Sequence, residues 1–170
     1  MSVLHLRSRI LTYIVSTFCV LISGNVLHAQ DADAAKAIAT GVNDALSRYI
    51  AVHDDLFAAL PRRIAPVPGI FEAVDFRARA DTLGAVRETL DSLGARTRSY
   101  LNSGEAAGSV HSFLAALQDY VLALDTAVAE LRQIAMRLHL KSEDRSVYSW
   151  DQYDADVKRY QAAAERYAEH

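Results

Sequence analysis

Cysteine is almost missing: Cys19 is the only one in 170 residues, so a disulfide scaffold is excluded. Proline is confined to Pro61, Pro66 and Pro68, which leaves every other stretch free of residues that break a helix. Three prolines and seven glycines are too few for a collagen-like or low-complexity chain. Neither sign of charge dominates, with 18 Lys and Arg against 21 Asp and Glu. A net charge of −3 beside 51% hydrophobic residues excludes intrinsic disorder. No stretch alternates apolar and polar residues for long, so nothing in the pattern argues for a β-sheet.

What is present begins with a distinct first 30 residues. Arg7 and Arg9 precede an uncharged apolar run from Ile10 to Ile22, and a polar break at Ser23, Gly24 and Asn25 leads to Val26-Leu27-His28-Ala29-Gln30. This is the plan of a secretory signal peptide over 1–29, with Ala29 as the last residue before the cut. The alternative is an uncleaved anchor, and a membrane is expected only in that case. The run is interrupted and shorter than the roughly 20 apolar residues a span needs. Phe18 before Cys19 is too bulky for a lipoprotein signal. Residues 30–170 are expected to form one domain carrying sixteen basic and twenty-one acidic residues, net −5, with no cysteine. That composition suits an oxidising compartment, the periplasm or the exterior, and excludes thiolate chemistry. The leader and the abundance of Ala (29) and Arg (15) point to a bacterial source.

The domain reads as four amphipathic helices, about 31–60, 71–101, 105–140 and 150–168. The first seam is Ile38, Val42, Ala45, Tyr49, Val52, Leu56 and Ala59, in steps of three and four. The second is Phe76, Ala80, Leu83, Val86, Leu90, Leu93, Thr97 and Tyr100. The third is the strongest: Val110, Phe113, Leu117, Tyr120, Leu124, Ala127, Leu131, Ile134 and Leu138. The fourth is Trp150, Tyr153, Val157, Tyr160, Ala164 and Tyr167. Asn102 with Glu105, and Ser149 with Gln152, have capping-box spacing. Gly84 and Gly94 fall inside the second helix in the similar pieces Asp-Thr-Leu-Gly-Ala and Asp-Ser-Leu-Gly-Ala. Ten residues is about 1000° of rotation, so the two are not expected to share a face. The fold predicted is all-α, an antiparallel up-down-up-down four-helix bundle with a shorter fourth helix.

The sequence carries no recognisable catalytic or metal-binding motif. The residues three before His53, His111, His139 and His170 are Ile50, Gly108, Met136 and Tyr167, so no Glu-x-x-His metal motif exists. Met136 and the histidines fall at different heights or on one helix, so no pair can clamp a haem. Asp151, Asp154 and Asp156 cluster where acids complement a helix dipole. Their spacing lacks the glycine and oxygen donors of a calcium loop. His53, Asp54 and Asp55 are consecutive and make no ready ligand set. Between 62 and 98 seven arginines face five acids, too small a surplus for nucleic acid. Pairing with acids of the first and fourth helices is the expectation there.

Three places remain as candidate surfaces. The shorter fourth helix would leave the tip around Tyr100, Leu101, Val110 and Phe113 thinly covered. The aromatic line Trp150, Tyr153, Tyr160 and Tyr167 suits either a partner-binding strip or a core seam, and the seam is the reading favoured. Arg62 and Arg63 in the proline-rich connection are placed to hold a small anion. The function expected is an exported, non-catalytic bundle acting through a protein partner or self-association. The alternative is a bundle that binds a small molecule, cofactor or ion, although no cofactor is implied by any motif.

Overall fold

The computed structural model describes residues 27–60, 74–104 and 108–169. Four helices account for nearly all of them: α1 (Leu27–Ala59), α2 (Phe76–Ser103), α3 (Gly108–Glu143) and α4 (Trp150–Ala168). Consecutive helices pack on one another, and α1 also lies against α3, an arrangement consistent with an up-down bundle. Most of the leader and the connection carrying Arg62 and Arg63 lie outside the described residues.

The heptad-like steps place one continuous core at the centre. Of the four seams, α1 buries Ile38, Val42, Ala45, Tyr49, Val52 and Leu56, and α2 buries every seam residue from Phe76 to Thr97. On α3 the buried stripe is wider than the seam alone, because Leu114, Val121, Val128 and Ala135 join it. That width follows from its position, since α3 packs against all three other helices. Each fully buried Leu contributes roughly 1.5–3 kcal/mol, so this helix is the main source of cohesion. α3 is also long and apolar enough by composition to cross a membrane. Yet twelve of its residues are buried against the bundle, and Asp119, Asp125, Arg132 and Arg137 stand on its remaining faces.

The helix ends show where local chemistry corrects the pattern. α2 begins at Phe76 rather than 71, because Asp75 acts as its N-cap and accepts from the Ala78 amide at 2.9 Å. Asn102 belongs to the last turn of α2 and caps no following helix. The stop is made by Gly104 at φ 72°, a left-handed conformation that glycine adopts without strain. The Ser149–Gln152 capping box is present in full, with Gln152 N donating to Ser149 Oγ at 3.1 Å and Ser149 N to Gln152 Oε1 at 2.8 Å.

The two glycines of α2 both meet α3, contrary to the rotation argument. Rotation by about 1000° returns to within about 80° of the start, and the apolar stripe of a packed helix is at least about 100° wide. At Gly84 the absent side chain clears Arg132, whose Nε donates to the Ala80 carbonyl at 3.3 Å. At Gly94 the neighbours are Val121 and Gln118. With its amide turned to satisfy both ends, Gln118 donates to the Gly94 carbonyl at 2.9 Å and accepts from Arg98 at 3.1 Å. Among the described residues, the ion pairs of α2 arginines run to α1 and α3 and not to α4. Arg79 binds Asp55, and Arg87 makes a two-pronged bond to Asp125 at 2.8 and 3.0 Å. α2 lies between those two helices, so their acids are the ones in reach.

Candidate functional site

Two clusters of polar side chains are built into the packed interior, both involving α4. The first joins α4 to α1. Tyr49 and Tyr160 meet hydroxyl to hydroxyl at 2.6 Å in buried surroundings. The Tyr49 ring stands edge-on to Tyr167 at 6.0 Å, and Tyr167 edge-on to Tyr120 of α3 at 6.1 Å. His53 and Phe57, one and two turns beyond Tyr49, lay their rings against Tyr160 at 5.8 Å each. Bulky rings therefore fill the space between α1 and α4, whose backbones are not among the closely packed pairs. Burial raises the pKa of Tyr49, Tyr120, Tyr160 and Tyr167 above the ordinary tyrosine value. Those hydroxyls stay neutral at physiological pH, and Tyr49 and Tyr160 use theirs to bond one another. The Tyr120 hydroxyl is buried and meets no partner among the described residues.

The second cluster locks the α3–α4 corner. Asp156 is 1% exposed, one turn and a half into α4. It accepts from Arg137 Nη1 at 2.7 and 3.0 Å, from the Tyr148 hydroxyl at 2.6 Å and from Arg159. Burial alone pushes the Asp156 carboxyl up; bonds from Tyr148 and Arg137 and the charges of Arg137 and Arg159 outweigh it and hold the pKa below the usual value. A carboxylate so satisfied is a poor proton acceptor. Asp156 is thus a packed ion-pair centre, and not one of three solvated acids at a helix start. Asp151 and Asp154 remain exposed, as that reading expects.

Lys141 completes the corner. It is 7% exposed, donates to the carbonyls of Arg145 (3.0 Å) and Tyr148, and places its ammonium 5.1 Å from the Trp150 ring centre. Between them, Asp144 folds the chain back by accepting from the amide and hydroxyl of Ser146 at 2.9 and 2.7 Å. The connection that the sequence marks merely as polar is in fact a pinned turn. A buried Lys is rare unless its charge is met by oxygens or a ring face, and both are supplied here. Tyr148, 2% exposed, was hidden from the seam count because it precedes the helix whose core it joins.

The sequence-predicted surfaces divide as follows. Tyr160 and Tyr167 belong to the core, while Trp150 and Tyr153 are half-buried at the corner. The buried line of α4 runs through Asp156, Tyr160, Ala163 and Tyr167, one residue off the predicted Val157 and Ala164. Tyr100, Leu101, Val110 and Phe113 are half-buried at the tip and pack against the core, so the tip is covered by its own side chains. A shallow depression of about 280 Å³ does open there, between α1 and α2, with Tyr100 in its wall. His53 and Asp54 do come together, Nδ1 to Oδ1 at 3.1 Å, while Asp55 turns away to Arg79. Among the described residues no group of three or more His, Cys, Asp or Glu is placed to hold a metal ion.

The chain matches no known family profile, and neither a curated protein nor a solved structure is significantly similar to it. The functional reading therefore rests on the geometry alone.

Proposed function

We propose that this protein is an exported, non-catalytic helical bundle that works by contact with another protein, in the bacterial envelope or outside the cell. One observation carries the reading: the rigid α3–α4 corner holds large apolar side chains out to solvent. Leu140 is 47% exposed and Val147 53%, on either side of the Asp144 turn, with Trp150 and Tyr153 half-buried close by. The turn beneath them is pinned by Lys141, Tyr148 and the Ser149 cap. Such a corner keeps its shape before a partner arrives, which lowers the ordering cost of binding. The neutral tyrosines and the ion-paired Asp156 supply structure and no reactive group.

The test is a photo-crosslinking residue placed at Val147, with a control at exposed Gln161 on α4, in the protein's own host. A discrete adduct from Val147 alone, lost when Leu140 is changed to Asp, is the expected result. Equal or no adducts from both positions would remove the reading.

A further inference from the structure

The large apolar side chains left in solvent fall in one region of the molecule. Among the described residues they are Leu122, Leu140 and Val147, and all three belong to α3 or the turn after it. Leu122 is 54% exposed, a waste of apolar surface in the middle of a helix whose other sides are packed. Leu140 lies eighteen residues further on, five full turns at 3.6 residues per turn, so the two point the same way about 27 Å apart. Thr126, Ala129, Gln133 and Met136 lie between them on the same face, all uncharged and none fully buried. The charges along its two borders are taken up inside the molecule: Asp125 by Arg87, Glu130 by Arg159 and Arg137 by Asp156. α1, α2 and α4 all pack on the other sides of α3, so no described helix of this chain is left to cover the face.

We propose that this face of α3 packs, antiparallel and about a two-fold axis, against the same face of a second copy of the chain. Two observations select that occupant. The face carries no charge between its leucines and its borders are neutralised internally, so nothing along it calls for a partner of opposite sign. It is also its own complement: a two-fold midway along it sets Leu122 of each copy on Leu140 of the other, and the small side chains of Thr126 and Ala129 let the helices approach. A strip about 27 Å long and roughly 10 Å wide offers roughly 300 Å² per copy, short of the about 800 Å² per partner of a stable interface. The dimer is therefore weak and reversible. Asp119 and Glu143 stand just beyond the two ends of the face, on a domain whose acids exceed its bases, so salt strengthens the association by screening repulsion. Leu140 also borders the α3–α4 corner, but Leu122 lies out of reach of a contact made at the turn. The dimer needs only this chain, so it and the corner reading fail separately.

The protein purified from its own host is followed by sedimentation velocity from micromolar to millimolar concentration. A monomer–dimer equilibrium is expected, tighter at high salt than at low. Leu122→Asp weakens it by about tenfold or more, while Gln161→Asp, which adds the same charge on exposed α4, leaves it unchanged. Leu122 is exposed, so the thermal melting of its variant is expected to match the parent. Orientation is read by a short bismaleimide in a Cys19→Ser background. Leu122→Cys and Leu140→Cys proteins, mixed, are expected to give the unlike pair in excess over both like pairs combined. A monomer at every concentration, association that survives Leu122→Asp or weakens with salt, or an excess of like pairs would each overturn the proposal.

Discussion

Tyr49 and Tyr160, 111 residues apart in sequence, share a 2.6 Å hydroxyl–hydroxyl bond inside the bundle. That bond ties the first helix to the last, where side chains rather than close backbones fill the gap. Tyr120, at the end of the same ring chain, shows the contrast. Its hydroxyl is buried without a partner among the described residues. Tyr120→Phe removes a group whose burial is uncompensated, so it leaves stability unchanged or raises it by up to about 1 kcal/mol. Urea unfolding measures this. A loss above about 1 kcal/mol would mean that the hydroxyl is satisfied.

Asp156→Asn removes the charge that Arg137, Arg159 and Tyr148 share, leaving Arg159 only its 3.5 Å pair with Glu130. Breaking a buried ion pair typically costs about 3–5 kcal/mol, and the half-exposed arginines reduce that here to about 2 kcal/mol. The pH dependence has a fixed sign. The folded pKa is lowered, so the carboxylate's contribution is complete above the unfolded value, near about 4, and fades as pH falls through the lower folded value. The stability gap between parent and variant, measured by urea unfolding from pH 6 down to pH 2, is expected to narrow in acid. A constant gap would contradict it.

Alkali probes the tyrosines. Burial raises the pKa of six of them, and Tyr153, also facing the charge of Asp154, is pushed up to about 12. The unfolded chain sheds phenol protons from about pH 10 while the folded chain keeps them, so stability falls as pH rises above that. Phenolate absorbance for these six is expected to rise together with loss of helical circular dichroism. Full ionisation near pH 10 with the helices intact would show that they are not buried.

Glycine substitutions separate propensity from packing. A Cβ at Gly94 meets its nearest neighbour at 3.5 Å, an ordinary contact. Gly94→Ala is therefore expected to stabilise by about 0.5–1 kcal/mol through helix propensity. At Gly41 the same atom falls 2.9 Å from Leu93, which is buried. Gly41→Ala is expected to give up that gain or to destabilise. Thermal melting of the pair decides, and an equal rise in both would count against the close approach of α1 to α2.

Periodicity made the bundle legible because three seams of aliphatic residues recur in steps of three and four, from Ile38 to Leu138. The capping box at Ser149 was equally plain, since its bonds are local. The pattern failed where polar residues are buried. Asp156 and Lys141 look like surface charges until Arg137, Tyr148 and Trp150 are brought round them by the turn at Asp144. Tyr160 and Tyr167 were visible as a line of rings, but their partners Tyr49 and Tyr120 lie on other helices, and spacing along one helix carries no information about that meeting.

The account stands most directly on the claim that α4 closes the bundle by setting its tyrosines against α1. A double-mutant cycle with Tyr49→Phe and Tyr160→Phe, read by urea unfolding, measures that contact alone. A coupling energy of about 1 kcal/mol, the two single losses summing to more than the double, is the result predicted. Strictly additive losses would place the two hydroxyls apart and contradict the arrangement of α1 and α4.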